Sequence, residues 1–439
     1  MYCASLAAWQ PWLAVYFKKV GISGLQIGII MSIAPIMVFL VQPMWGVVAD
    51  RWGHHRTLLF TMFLASFAIL GYVWNGGFWF FFFWAVVVSF VTNPIGTLMD
   101  SIILDYVKRK QDSSYGRFRM WGTIGLTVCS LVCSVIVGCG ISWLFTRRFV
   151  TFMSLYSMWI IFFIILDIMF SVRSYGRFRM WGAIGWAVAS PVVGWIITGR
   201  NIILIFPISM AVMLLGWLAG FLRRDKTRAV LATSEASWQN LSGVLRNWRL
   251  IVFLVIAFFY GVGTSPVWTF YGVYLDDIGA SHGLKGFAFG LDAAIEFPFY
   301  FFSIVFVKHF GARRVLTFSI LMFAIRLFLY SVISTPVLAA SVELMHGLTF
   351  SLFIVSAVEY VNELVPPAWR ATGQSLYAAA CFGAGTLAGN TFAGYLYDQM
   401  PLQQVYRFTG WLLLIVAVVA AFALRSRSKK NDSQVTGAE

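Results

Sequence analysis

The sequence predicts an all-α polytopic membrane protein, and three observations lead to that fold class. Of its 439 residues, 60% are hydrophobic and only 11% are charged, whereas soluble domains carry about 25% charged residues. The apolar residues form continuous runs of about 20, the length of a membrane-spanning helix, rather than the short alternating strands of a membrane barrel. Nearly all Lys and Arg residues lie between these runs. The composition therefore excludes a soluble globule, a disordered chain and a disulfide scaffold.

The apolar runs predict about 12–14 transmembrane helices in two bundles. In chain order the predicted spans are 2–18, 25–48, 57–74, 78–104, 119–141, 149–171, 179–198, 201–222, 250–275, 284–307, 315–334, 337–362, 371–397 and 403–424. The longest polar stretch divides the chain near its middle. We therefore expect an N-terminal helix bundle at 1–222, a cytosolic linker at 223–249, a C-terminal helix bundle at 250–424 and a cytosolic tail at 425–439.

The distribution of basic residues predicts the orientation in the membrane. When the loop at 50–56 is placed inside, 24 of the 32 Lys and Arg residues fall on the inner side, six on the outer side and two within spans. Cytoplasmic loops are enriched in Lys and Arg, so both termini are predicted to be cytosolic. The same placement explains the formal net charge of +15 by membrane topology and gives no reason to expect a nucleic-acid partner.

One internal repeat interrupts the first bundle. The sequence SYGRFRMWG occurs at Ser114–Gly122 and again, letter for letter, at Ser174–Gly182. The inserted block, about 119–172, adds two spans and leaves the orientation of the later spans unchanged. A local duplication, a tandem alternative exon and a gene-model error all remain open.

A motif joins the second and third spans and reads G-x-x-x-D-R-x-G-H-H-R. Its candidate residues for a gating loop are Gly46, Asp50, Arg51, Gly53 and Arg56. A residue without a side chain lets two helices approach closely, and the arginines anchor the loop at the inner membrane face. The motif resembles the signature loop of the major facilitator superfamily, G-x-x-x-D-R-x-G-R-R. A weaker echo, K-H-F-G-A-R-R, stands at 308–314. This resemblance implies two parallel six-helix halves.

A second resemblance concerns the run at 176–186, G-R-F-R-M-W-G-A-I-G-W. It is similar to the fifth helix of lactose-permease-like proton symporters, in which the second arginine binds the sugar and the tryptophan stacks on its ring. This resemblance implies that Arg179 and Trp186 bind the substrate. The first copy of the repeat has Leu126 at the tryptophan position, so we assign the site to the second copy. Asp100 resembles the sugar-binding carboxylate of the same family, and an arginine on the next helix is its expected partner.

The second half carries a set of ionisable residues inside apolar spans. They are Asp292, Glu296, Arg326, Glu343 and His346. An isolated charge in hydrocarbon costs about 2.5–3.5 kcal/mol on the mildest scale. We therefore expect the acidic and basic groups to face one cavity and to neutralise each other. A static structural ion pair would show the same pattern, but a carboxylate with a movable cation beside it suits a proton carrier.

The lactose-permease-like symporters support part of this assignment. Arg326 and His346 stand where that family carries its coupling arginine and histidine. Thr349 stands where the family has its proton-carrying glutamate, and Ala293, beside Asp292, replaces a binding-site glutamate. The resemblance therefore implies that one of the two cluster glutamates takes over the proton, or that the protein is a uniporter.

These observations predict a monomeric secondary transporter that moves a small polar solute, sugar-like first, by alternating access with proton symport. The alternatives are a carrier of nucleosides or other solutes, and a non-transporting receptor or scaffold of the same fold. Phosphate-binding loops, nucleophile–base arrangements, metal-ligand spacings and dinucleotide fingerprints are not found in the sequence. We therefore expect no enzyme activity, no cofactor and no metal.

Overall fold

The computed structural model describes residues 1–109, 175–222, 247–366 and 369–424, and within them helices are joined by short turns, without a strand. The all-α class is therefore confirmed. The inserted block at 119–172, residues 223–246 of the linker and the tail at 425–439 lie outside the described residues. The helices are α1 (Tyr2–Trp9), α2 (Leu13–Lys19), α3 (Gly24–Trp52), α4 (His54–Leu70), α5 (Gly77–Arg109), α6 (Tyr175–Ile196), α7 (Ile205–Leu222), α8 (Trp248–Asp277), α9 (His282–Phe310), α10 (Ala312–Val332), α11 (Pro336–Ser341), α12 (Leu352–Leu364), α13 (Arg370–Ala378), α14 (Thr386–Tyr397) and α15 (Leu402–Ala423).

Three pairs of these helices are single spans with an irregular middle. A 3₁₀ turn at Gln10–Trp12, which contains a proline, joins α1 to α2. A 3₁₀ turn at Val342–Met345 and a π-helical turn at Gly347–Ser351 join α11 to α12. A π-helical turn at Ala379–Gly385 joins α13 to α14. With these pairs joined, the described ranges hold six long segments up to residue 222 and six after residue 247. Eight candidate spans in these ranges are long and apolar enough to cross a membrane.

Two glycines make equivalent sharp junctions in the two halves. Gly53 separates α3 from α4 with φ 93° and ψ 134°, and Gly311 separates α9 from α10 with φ 81° and ψ 146°. Only glycine adopts such positive φ angles readily. Because Gly53 and Gly311 belong to the two echoing motifs, this local geometry agrees with the twofold repetition that the motifs imply.

At one end of the bundle, helices of the two halves touch backbone to backbone. The sequence predicts that this end faces away from the cytosol, and we name it the outer end; it carries the loops 20–23, 197–201, 278–281 and 398–401. A Cβ atom on Gly28 of α3 would lie 2.2 Å from the carbonyl oxygen of Asn390 in α14. A Cβ atom on Gly286 of α9 would lie 2.5 Å from the carbonyl oxygen of Ser190 and 2.9 Å from Cα of Gly194 in α6.

Polar contacts tie the same end together. Lys18 of α2 forms an ion pair with Asp277 at the end of α8, and the hydroxyl group of Tyr397 donates to Asp277 at 3.2 Å. The carboxylate of Asp398 accepts hydrogen bonds from the first two backbone N–H groups of α3, at 2.6 and 2.8 Å. The two halves are therefore closed against each other at the outer end in this conformation.

Candidate functional site

The ionisable residues of the second half meet on α9, α10 and the irregular span α11–α12. Arg326 lies six residues before the end of α10, and Asp292 lies ten residues after the start of α9. At 1.5 Å per residue, these positions are about 9 and about 15 Å from the outer ends of their helices. Arg326 thus lies nearer the outer end of α10 than the middle of that helix.

Arg326 forms a closed hydrogen-bonded unit with two neighbours. Its guanidinium group is paired with the carboxylate of Glu343, and its Nε donates to the hydroxyl group of Tyr330, one turn later on α10, at 3.1 Å. That hydroxyl group in turn donates to Glu343. All three side chains are buried, with Arg326 only 1% exposed. Thr349, at the position of the family's glutamate, accepts a hydrogen bond from Nη1 of Arg326 at 3.2 Å.

His346 lies between two carboxylates of α9. Its Nδ1 is 3.1 Å from Oδ1 of Asp292, and its Nε2 is 3.0 Å from Oε1 of Glu296. Nη1 of Arg326 is also 3.0 Å from Nδ1. The imidazole is buried, whereas the side chains of Asp292 and Glu296 are 20% and 21% exposed. His346 therefore links the sealed Arg326 unit to two carboxylates that retain some access.

The local helix geometry gathers these groups on one side of the span. Glu343 lies in the 3₁₀ turn, His346 directly follows it, and Thr349 lies in the π-helical turn. Departures from the regular α-helix frequently mark functional positions. Because of this irregular winding, Glu343, His346 and Thr349, which are spaced by three residues, all contact Arg326.

The charges of the cluster do not cancel. Three carboxylates (Asp292, Glu296 and Glu343) face one guanidinium group, so the formal charge is −2 with a neutral imidazole and −1 with a protonated one. Oxygen and nitrogen atoms of Asp292, Glu343 and His346 lie within 4.8 Å of one another, as in a small cation site. The guanidinium group of Arg326, paired with Glu343 and 3.6 Å from Asp292, already supplies the positive charge there, so these groups do not fit a metal ion.

The predicted substrate residues of the first half are described only in part. Trp186 lies in α6 and is half-buried, and α6 contacts α1 through Gly182, where a Cβ atom would lie 2.9 Å from Sγ of Cys3. Asp100 falls in α5 and Arg179 in α6, but both side chains lie outside the described part of the structure. Their expected pairing stays a prediction.

The gating-loop residues surround the junction of α3 and α4. Arg51 and Arg56 are exposed, and Gly53 makes the junction itself. The side chain of Asp50 lies outside the described residues. Within the part of the chain that the structure describes, the close helix contact expected at Gly46 is not found, because no described atom lies within 4 Å of the place that a Cβ atom would occupy. Helices of opposite halves approach each other closely through Gly28 and Gly286 at the outer end.

The comparisons with known proteins agree with this architecture. The model of the MFS_1 like family matches residues 1–174 and 170–408. The chain belongs to this family. The predicted relationship to the major facilitator superfamily is thereby confirmed, and the protein is a multi-pass membrane protein.

Among its relatives, this family member is 24% identical to the maltose permease of Geobacillus stearothermophilus over 424 residues, covering 95% of the chain and 91% of the permease. It is 21% identical to the raffinose permease of Escherichia coli, covering 97% and 91% of the two chains. The crystal structure of the nucleoside transporter NupG matches it with a TM-score of 0.72 and 17% identity, over 97% of each chain. At 17% identity, the similarity to NupG shows a shared fold and no more.

Proposed function

We propose that this protein is a secondary transporter that moves a small sugar-like solute together with protons. The observation that carries the proposal is the cluster of Glu296, Arg326, Glu343 and His346, joined by Asp292, within the membrane-spanning helices. A purely structural cluster would be expected to reach neutrality, because unbalanced charge inside a membrane is costly. This cluster has three carboxylates for one guanidinium group, and two of the carboxylates are partly exposed, which supports a role in binding and releasing a proton.

The solute class rests on the first half and on the relatives. Arg179 and Trp186 stand at the sugar-binding positions of the family motif, and Asp100 offers a carboxylate acceptor. A guanidinium group donates well to hydroxyl groups, and an indole face packs against the apolar side of a sugar ring. Two relatives are permeases for maltose and raffinose. Nucleosides are the second candidate, because the fold matches that of NupG.

Transport by this fold requires that access alternates between the two membrane sides. The closed outer end supplies one of the two required states. When Gly286 separates from α6 and Lys18 separates from Asp277, the halves rock and the cluster becomes accessible from the other side. We infer that both termini are cytosolic, that the bundles meet at the linker 223–249, and that one chain is the transporting unit.

Flux measurements in proteoliposomes test this function. Radiolabelled maltose, raffinose and uridine are offered with and without an imposed pH gradient, together with protein-free vesicles. The proposal predicts exchange of a sugar and its accumulation only when the gradient is present. Exchange without gradient-driven accumulation indicates a uniporter, and the absence of flux for every solute favours the receptor or scaffold alternative.

A further inference from the structure

One exposed aromatic side chain lies in an otherwise enclosed part of the second half. Trp268 of α8 is 47% exposed. Within the stretch 260–275, which the structure describes throughout, every other residue is buried or half-buried. The opening in front of Trp268 is therefore local, and the helix around it is surrounded by protein.

The exposure pattern around Trp268 differs from that of a helix face that meets lipid. Residues three and four positions apart lie on the same face of a helix, so a lipid-facing stripe is exposed at that spacing. On α15 such a stripe is formed by Phe408, Trp411, Ile415 and Val418. The residues three and four positions before and after Trp268 are all buried, namely Thr264, Ser265, Tyr271 and Gly272. Trp268 therefore faces a space inside the protein.

The indole ring of Trp268 is held beside the charged cluster. Its centroid lies 5.4 Å from that of the His346 ring and 4.9 Å from that of the Phe350 ring, both in edge-to-face contact. His346 in turn contacts Asp292 and Glu296, whose side chains are 20% and 21% exposed. The open part of the indole ring and the two carboxylates therefore border the same space. A ring that is fixed by its neighbours is preorganised to bind a solute.

Trp268 shares its depth in the membrane with the predicted sugar-binding residue of the first half. Trp268 lies nine residues before the end of α8, and Trp186 lies ten residues before the end of α6. At 1.5 Å per residue, both positions are about 14–15 Å from the outer ends of their helices, the depth given above for Asp292. In a hydrocarbon core about 30 Å thick, both tryptophans are near the middle.

Backbone contacts between the halves adjoin each of the two tryptophans on the outer side. A Cβ atom on Gly290 of α9 would lie 2.8 Å from the carbonyl oxygen of Ala187, the residue after Trp186. A Cβ atom on Gly272, one turn after Trp268, would lie 3.0 Å from a backbone carbonyl oxygen of the α1–α2 turn. The two indole rings thus come from opposite halves and lie directly on the inner side of the closed end.

We propose that Trp268 binds the solute by stacking on one of its rings, and that the solute is a disaccharide whose other ring stacks on Trp186. This inference rests on the proposed function, in which Trp186 binds a sugar. An indole face packs against the apolar side of a sugar ring, and hydroxyl groups of the ring on Trp268 can donate to Asp292 and Glu296. A monosaccharide covers only one of the two indole rings, so the pair of tryptophans favours sugars of two rings.

Fluorine NMR of the fluorotryptophan-labelled protein in lipid nanodiscs tests the surroundings of Trp268 without any solute. The resonances of Trp268 and Trp411 are assigned from Trp268→Phe and Trp411→Phe. Trp411 is the matched control, because it lies nine residues after the outer end of α15 but on the lipid-facing stripe. We expect a water-soluble gadolinium chelate to broaden the Trp268 resonance and doxyl-labelled lipid to broaden that of Trp411. Broadening of both resonances by the lipid label alone would refute the internal space.

Titration of the same sample with sugars tests the stacking. We expect maltose to shift the resonances of Trp268 and Trp186, the second assigned from Trp186→Phe, and to leave that of Trp411 in place. Glucose should require a concentration about tenfold higher, because it stacks on one ring only. A Trp268 resonance that stays in place throughout the maltose titration, or that shifts only with uridine, would overturn the proposal.

Transport kinetics separate this inference from the proposed function. In counterflow of radiolabelled maltose into proteoliposomes, Trp268→Leu should raise the KM about tenfold. Trp268→Tyr keeps an aromatic face and should raise the KM less, and the control Trp411→Leu should leave it unchanged. Equal KM values for Trp268→Leu and Trp411→Leu would overturn the inference and leave transport intact. A wild-type protein that binds maltose at Trp268 in the titration but does not transport it would refute only the proposed function.

Discussion

The substitution Gly286→Ala tests whether the backbone contact at the outer end holds the halves together. The new Cβ atom would lie 2.5 Å from the carbonyl oxygen of Ser190 and 2.9 Å from Cα of Gly194. Both are backbone atoms, which cannot rotate away as a side chain can. The helices must therefore separate by several tenths of an ångström to restore normal contact. Overpacking of this kind typically costs about 1–3 kcal/mol.

In the proposed transport cycle the outward-open state does not contain this contact, so the energy translates directly into populations. At 1.4 kcal/mol for each factor of ten, the population ratio of the outer-closed state to the open state should fall roughly 5- to 150-fold. Spin labels at Arg200 and Gln399, exposed residues in outer loops of opposite halves, measure the distance between the halves in lipid. We expect a longer and broader distance distribution for Gly286→Ala.

A matched control lies one turn away on the same helix. A Cβ atom on Gly283 would meet its nearest atom, Oγ1 of Thr198, at 3.7 Å, an ordinary contact. Gly283→Ala should therefore leave the distance distribution of wild type unchanged. If Gly286→Ala and Gly283→Ala give the same distribution, the argument that backbone contact closes the outer end is wrong.

Three further predictions concern charge and substrate. Asp277→Asn removes the partly exposed ion pair with Lys18 that joins the halves. Such a pair contributes about 1 kcal/mol or less, so the same spin labels should show a change of less than about fivefold in the ratio of outer-closed to open molecules. A complete opening of the outer end would contradict this. Glu343→Gln removes the fully buried carboxylate that pairs with Arg326 and leaves Asp292, at 3.6 Å, as its nearest acidic group. Breaking a buried pair typically costs about 3–5 kcal/mol, so thermal unfolding in detergent should show a loss of up to that size, whereas the exposed control Glu359→Gln should unfold as wild type does. Equal melting of the two variants would disprove the buried pair. Trp186→Leu should raise the KM for sugar uptake about tenfold, for a loss of about 1.4 kcal/mol of ring contact, and an unchanged KM would remove Trp186 from the site.

The charged cluster could be predicted from the sequence because an isolated charged side chain is costly inside a membrane and must find a partner there. Arg326 lies in an apolar span and needs a partner there, and acidic residues occur at a comparable depth only on a few neighbouring helices. The meeting of Arg326, Glu343 and His346 follows from that requirement. The spans follow for the same reason: the predicted span at 57–74, for example, corresponds to α4 and the turn that ends at Val73.

Other features could not be predicted from the sequence. Tyr330 is one of 17 tyrosines, and only its spacing of four residues after Arg326 hinted at a contact. The 3₁₀ and π-helical turns at 342–351 leave no mark in hydrophobic periodicity, although they place Glu343 and His346. Lys18 and Asp277 lie in distant parts of the chain, so their pairing depends on how the halves meet. Gly46 looked suited to a close helix contact, but a small residue permits such a contact without requiring it.

In the proposed function, solute movement and proton movement are coupled through the cluster around His346. Simultaneous recording of radiolabelled maltose uptake and internal acidification, in proteoliposomes with the wild-type protein, tests it most directly. We expect solute entry to carry protons with it at a fixed ratio near one, even against a modest pH gradient. Solute entry that leaves the internal pH unchanged would contradict it.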